Sequence, residues 1–170
     1  MSNPPLFAPW RLPYIKQLGR DDGCFLCRAA AAVDLEKKRG MLVLWTTAQS
    51  VVLVNRFPYA NGHLLIAPRA HKADLEELSD AEQFDLSAQT IAAVKLLKRA
   101  VSAQGFNIGI NLGLVAGAGL PGHVHQHVVP RWGGDTNFMS VVGETRVVPE
   151  ALSQSHAELL KVATEMGLFK

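Results

Sequence analysis

The sequence predicts an α+β domain built on a twisted, mostly antiparallel sheet, with one long helix packed across it and a shorter helix at the C-terminus. Apolar runs of strand length arrive as hairpins and not in regular βα alternation. "MLVLWTT" and "SVVLVN" are separated by a short turn, and "GHLLIAP", bounded by Gly62 and Pro68, supplies a third strand. Ser79 followed by Glu82 is a capping box, and "AEQFDLSAQTIAAVKLLKRAV" continues it at helical spacing with Lys98 and Arg99 in its last turns, which predicts the long helix over about 80–103.

The remaining elements follow in chain order. The proline-rich start reads as an N-terminal arm over 1–20, with Trp10 available to anchor it, and a single domain over 21–170. "RAAAAVDLEKK", residues 28–38, is rich in helix formers and stops before Gly40, so one helix is expected there. After the long helix come a strand in "FNIGINLG", the glycine-rich "VAGAGLPG" and then "HVHQHVVP". "RWGGDTNF" reads as loop and "TRVV" as a short strand; Pro149 suits the first turn of a final helix whose apolar face includes Leu152, Leu159, Leu160 and Ala163.

The 170 residues suffice for one domain with a core that needs no staples. A net charge of +2 and a pI near 8.6 are too mild for a nucleic-acid surface. The start lacks the pattern of a signal peptide and no stretch approaches a membrane span, so a soluble, cytoplasmic protein with no membrane partner is expected. The two cysteines, Cys24 and Cys27, form "CFLC" after a turn. In a reducing compartment such a pair suggests a metal half-site or a redox pair more than a structural disulfide.

Three of the six histidines, His123, His125 and His127, fall on alternate positions of "HVHQHVVP". On a strand they share one face, roughly 6.5–7 Å apart, and border one small site. The glycines before them, Gly113, Gly117, Gly119 and Gly122, suit a loop whose amides turn toward a phosphate, without the lysine and helix of a Walker loop. A neutral imidazole is a competent nucleophile toward phosphorus, and the middle residue, His125, is flanked by two partners able to donate protons. Zinc hydrolysis is the competing chemistry, because histidines at i and i+2 also ligate metal and the chain adds His63, His71 and the cysteine pair. A nucleotide-binding module without turnover is a third reading.

"HVHQHVV", "NRFPYANGHLLIAP" and "GFNIGINLGLVAGAGLPGHVHQHVVPRWGGDTNF" together resemble the histidine triad (HIT) family of nucleotide hydrolases and transferases. The likeness covers most of residues 20–165 and is closest to the branch of the fragile histidine triad hydrolases and the bacterial diadenosine tetraphosphate phosphorylases. It implies a HIT-like fold, a homodimer, and cleavage of a dinucleoside polyphosphate, such as diadenosine tri- or tetraphosphate, at its α-phosphate. The intermediate would be a nucleotidyl-histidine and the acceptor phosphate or water; hydrolysis of nucleoside phosphoramidates is the alternative within the family. His125 matches the nucleophile, His123 and His127 its partners, and His63 a supporting histidine. Asn55 aligns with a ribose contact and Asn111 with an amide near the scissile phosphate, while Gly117, Gly119 and Gly122 would offer backbone amides. The likeness also implies a structural zinc on Cys24, Cys27, His71 and His123. Two departures stand out: Gln126 replaces an apolar residue, and "LPG", Leu120 to Gly122, stands where relatives carry a polar side chain before the triad.

Overall fold

The computed structural model of the chain describes residues 23–135 and 150–168. The expected arm over 1–20 with Trp10, the strand expected in "TRVV" and Pro149 lie outside the described residues.

A five-stranded antiparallel sheet organises the rest, in the order β1-β2-β3-β5-β4. β1 (Val43–Thr46), β2 (Ser50–Val54) and β3 (Leu64–Pro68) form a meander. The chain then crosses the sheet in a long helix, runs down the outer edge as β4 (Gly105–Ile110), and returns as β5 (Gln126–Arg131) between β3 and β4. The expected α+β architecture is therefore present.

One expected helix is two. α1 (Phe25–Ala30) and α2 (Leu35–Gly40) are separated by a break in which Asp34 is extended and its side chain accepts from Lys37 N at 2.7 Å. An aspartate that caps a helix start satisfies amides that a continuous helix would have bonded internally, so Asp34 ends one helix by beginning another. α1 begins inside "CFLC", which puts Cys24 at its N-cap and Cys27 on its first turn. The long helix, α3 (Asp80–Val101), opens on the expected capping box: Ser79 accepts from Glu82 N and the Glu82 carboxylate reaches back to Ser79 N. α4 (Leu152–Glu165) closes the described chain.

The sheet is covered on both faces, which is why β2 and β3 are buried at every position. Val52, Val54, Leu64, Ile66 and Val128 pack with Leu86, Ala93, Leu96 and Leu97 of α3 and with Leu159, Val162 and Ala163 of α4. The alternate residues Val51, Leu53, Leu65 and Ala67 meet Leu26, Ala29 and Ala30 of α1. His127 lies opposite Leu65 in the β3–β5 register and so shares the α1 face. Gln126 points the other way, its side chain donating to Thr90 Oγ1 on α3 at 3.0 Å.

The histidine segment departs from a regular strand. The ladder of β5 ends at Gln126, paired with Ile66 on one side and Ile110 on the other, so only His127 lies within it. His123 and His125 precede the strand. Pro68, which ends β3, has no N–H for a further rung, and Val124 N donates instead to Lys72 O at 2.7 Å. Gly62, in the turn before His63, has φ +74°, and a Cβ there would sit 3.0 Å from Leu97 Cδ2, so backbone conformation and core contact both require glycine.

Candidate functional site

His63 enters the site from the start of β3, and the loop before it sets its protonation. Asn55 Oδ1 accepts from Phe57 N at 3.0 Å and its Nδ2 lies 3.3 Å from His63 Nδ1. Tyr59 N donates to the same His63 Nδ1 at 3.0 Å. A nitrogen that accepts from a backbone N–H carries no proton, so the His63 proton is on Nε2. His63 Nε2 is 2.9 Å from His127 Nδ1, which must therefore accept. The proton of neutral His127 is then on Nε2, a buried atom with no hydrogen-bond partner among the described residues. A buried donor left open in the middle of a polar cluster marks where an acceptor oxygen fits.

His125 is fixed the opposite way. Its Nδ1 lies 2.8 Å from the backbone carbonyl of His123, and a carbonyl only accepts, so Nδ1 carries the proton and Nε2 keeps its lone pair. The His125 and His127 rings lie side by side, centroids 5.1 Å apart. Neighbouring rings thus keep an electron pair on one Nε2 and an N–H on the other.

His123 belongs mainly to a different cluster. Its Nδ1 is 3.2 Å from Cys24 Sγ and 3.5 Å from Cys27 Sγ, and its Nε2 is 2.9 Å from Pro68 O. His71 Nδ1 lies 3.2 Å from Cys27 Sγ. The four ligand atoms of Cys24, Cys27, His71 and His123 all fall within 4.8 Å of one another. With Zn–S near 2.3 Å and Zn–N near 2.0–2.1 Å, a tetrahedral site has edges of about 3.3–3.8 Å. The Pro68 carbonyl holds the His123 proton on Nε2 and turns its Nδ1 lone pair toward the cysteines, as a metal ligand requires. The side chains present therefore fit a closed, four-ligand zinc site. Burial raises the Cys24 thiol, yet the His123 hydrogen bond and the neighbouring Cys27 contacts bring it down to about 6, while burial and the adjacent Cys24 push Cys27 up.

The other expected residues are placed less tightly. Asn111 follows the last residue of β4, one step beyond the Ile110–Gln126 pair. Gly117 has φ +84° but its N–H donates to Leu114 O within the loop at 3.0 Å. The amides of Gly119 and Gly122 carry no such bond among the described residues. Sequence reasoning missed the backbone N–H of Tyr59, whose ring also stacks on His127 at 5.8 Å, and the carbonyl of Pro68. Neither role leaves a mark in residue type, because backbone atoms supply both bonds.

Electrostatics keep the inner histidines neutral. Burial, followed by the proximity of His127 and His125, lowers His63 to about 3. Burial and then His125 lower His127 to about 4, and burial lowers His125 also. Below the ordinary histidine value of about 6.5 the unfolded chain binds protons that the folded chain refuses, so these groups make stability rise with pH. Their contribution is complete above about pH 6.5 and is lost as pH falls from there toward the folded values of about 4 and 3. The urea midpoint is expected to drop between pH 7 and pH 4.5, and His63→Gln is expected to flatten that dependence; parallel curves for the two proteins would contradict the assignment.

A family model described as "HIT domain" matches residues 37–134. The chain is similar to the AP-4-A phosphorylase of Mycobacterium tuberculosis (strain ATCC 25618 / H37Rv), 37% identical over 152 residues that cover 86% of this chain and 77% of that one. It is also similar to the asymmetrical bis(5'-nucleosyl)-tetraphosphatase of Schizosaccharomyces pombe, 35% identical over 92 residues, 54% of this chain and 50% of that one. Among solved structures, a Zn-bound histidine triad family protein from Mycobacterium smegmatis superposes with a TM-score of 0.66 at 23% identity, covering 85% of this chain and 96% of that chain, a likeness of fold. With its triad, its sheet and these relatives taken together, the chain belongs to the histidine triad (HIT) family, on the branch of the diadenosine tetraphosphate enzymes.

Proposed function

We propose that the protein cleaves dinucleoside polyphosphates, diadenosine tri- or tetraphosphate among them, by covalent catalysis at the α-phosphate. The observation that carries this reading is the opposed tautomers of His125 and His127. Nε2 of His125 attacks the α-phosphorus, the N–P bond forms, and the P–O bond to the remaining polyphosphate breaks with its electron pair on oxygen. A phosphate with a second pKa near 6 leaves readily as an anion, and the His127 N–H stabilises it by a hydrogen bond. The positive charge on the substituted His125 ring is steadied by the His123 carbonyl, 2.8 Å from Nδ1. Water or inorganic phosphate then attacks phosphorus and His125 departs with the N–P electron pair. Water yields a mononucleotide and phosphate a nucleoside diphosphate. Similarity to the AP-4-A phosphorylase favours phosphate as acceptor. Asn55 is assigned to the ribose, Asn111 and the Gly119 and Gly122 amides to phosphate oxygens, and His63 to holding His127.

Zinc is assigned to Cys24, Cys27, His71 and His123, where it would tie α1 to the segment before β5 and supply binding energy to the fold. With both cysteines and both histidines as ligands such a site has no open position, which disfavours a zinc-bound hydroxide as the attacking group.

Incubation of pure protein with diadenosine tetraphosphate is expected to give ATP and ADP when phosphate is present, and ATP and AMP when it is absent. His125→Ala is expected to lower kcat by at least ~10³-fold. Full activity of that variant combined with loss on chelation would favour metal hydrolysis; cleavage confined to phosphoramidates would keep the mechanism and change the substrate; retained nucleotide binding without turnover in the wild type would restore the binding-module reading.

We also infer a homodimer. Among the described residues β4 is an edge strand, with Asn107, Ile108 and Gly109 exposed. Beside it a cavity of about 310 Å³, lined by residues including Leu75, Ile91, Ile110 and Gln126, opens on the α3 side of the sheet. An unprotected antiparallel edge pairs with its own copy by a two-fold operation. Sedimentation is expected to give twice the 18.4 kDa chain mass; a single species at the chain mass at micromolar concentration would contradict it.

A further inference from the structure

On one side of His127 the sheet supplies no side chain. Its backbone is fixed, because it pairs with Leu65 of β3 and with Gly109 of β4. Glycine has nothing to lay against the ring, and a Cβ at Gly109 would meet no atom within 4 Å, so the cross-strand partner on the β4 side gives His127 no support. His127 Nδ1 accepts from His63 Nε2 at 2.9 Å, which fixes one end of the imidazole. The Cβ–Cγ torsion of histidine is broad and a hydrogen bond tolerates some bending. That contact alone would let Nε2, at the far end of the ring, swing.

The Tyr59 ring supplies the missing restraint. It lies nearly parallel to His127, with 17° between the planes and 5.8 Å between centroids, and it also meets the His63 ring at 4.7 Å, tilted by 40°. Near-parallel, offset stacking is a favoured arrangement of two aromatic rings. Tyr59 is 47% exposed, so filling the core does not explain its place, and its hydroxyl makes no hydrogen bond among the described residues. We propose that the Tyr59 side chain is a positioning residue for departure of the leaving group: stacked on His127 and resting on His63, it holds the plane of the His127 ring and with it the direction of the Nε2 N–H. The backbone N–H of Tyr59 sets the tautomer through His63 Nδ1, whereas the ring sets orientation. When His125 Nε2 bonds to phosphorus, the P–O bond breaks with its electron pair on the leaving oxygen, and an N–H held in direction meets that oxygen as its charge develops. Tyr59 takes no part in bond making and acts through His127 alone. The inference rests on the reading of His127 as donor to the leaving group.

The test varies the leaving group. AMP esters of para-nitrophenol and of phenol carry the same nucleotide, but phenolate is the stronger base and depends more on a donor. The ratio kcat/KM reports every step up to its departure. Tyr59→Leu keeps the backbone N–H and removes the flat ring. It is expected to lower kcat/KM by about 10–100-fold on the phenyl ester and by less than about threefold on the para-nitrophenyl ester. Tyr59→Phe is expected to stay within about twofold of wild type on both, since a phenyl ring stacks as well. In a His127→Ala background nothing remains to be oriented, and Tyr59→Leu is expected to add less than about twofold. Equal losses on the two esters, losses that multiply in the double variant, or a Tyr59→Phe as slow as Tyr59→Leu overturn the proposal. Should Tyr59→Leu fail to fold, Tyr59→Met, whose flexible side chain covers similar surface without a flat ring, is judged by the same measurements. A His127→Ala variant that loses equally on both esters overturns the reading of His127 as donor, and the proposal with it. Selective loss in His127→Ala beside an even loss in Tyr59→Leu overturns the positioning claim alone.

Discussion

One hydrogen bond, from His125 Nδ1 to the carbonyl of His123 at 2.8 Å, is the constraint on which the site depends. It removes the ambiguity of an imidazole that could carry its proton on either nitrogen. Everything nearby either supports that bond or complements it. The cysteine cluster and the Pro68 carbonyl hold the residue that accepts it, and the Tyr59–His63–His127 chain presents an N–H beside the lone pair it exposes. Three chemically identical side chains at alternate positions thereby divide, His123 and His127 carrying the proton on Nε2 and His125 on Nδ1.

Burial does the rest of the tuning. His63 and His123 are completely buried and His125 is only 6% exposed. Desolvation disfavours their charged forms, and lowers His63, His125 and His127. Neutral rings can be both donors and acceptors, so the tautomer chain survives at physiological pH. His123 moves the other way: burial opposes the charged form, but the Cys24 thiol beside it raises the ring overall. The sheet provides this environment cheaply. Its α3 face is filled mainly by aliphatic residues, and its α1 face carries apolar packing as far as Leu65 before giving way to His127 directly opposite.

Much of this was legible in the sequence. The hairpin strands, the capping box at Ser79 and Glu82, and the period-two placement of the histidines against Val124, Gln126 and Val128 follow from local pattern, and the structure has them. Asp34 was hidden because the alanine and lysine runs on either side are good helix formers, and composition does not reveal where one helix hands over to the next. The end of the ladder at Gln126 was hidden too, since it depends on a proline in a different strand. The split of the triad into one ring at the cysteines and two at the site could not be read from spacing. Backbone donors and acceptors at Tyr59, Pro68 and His123 determine it, and every residue possesses those groups.

The claim that His125 acts covalently is tested most directly by trapping. The protein is mixed rapidly with diadenosine tetraphosphate labelled at the α-phosphorus, quenched within one turnover at alkaline pH, where N–P bonds persist, and digested for mass spectrometry. The account predicts an adenylyl group on the peptide containing "HVHQHVVP", on His125 and absent from His125→Ala. Single-turnover cleavage that proceeds at full rate with no labelled peptide, or with label on a different histidine, would contradict it.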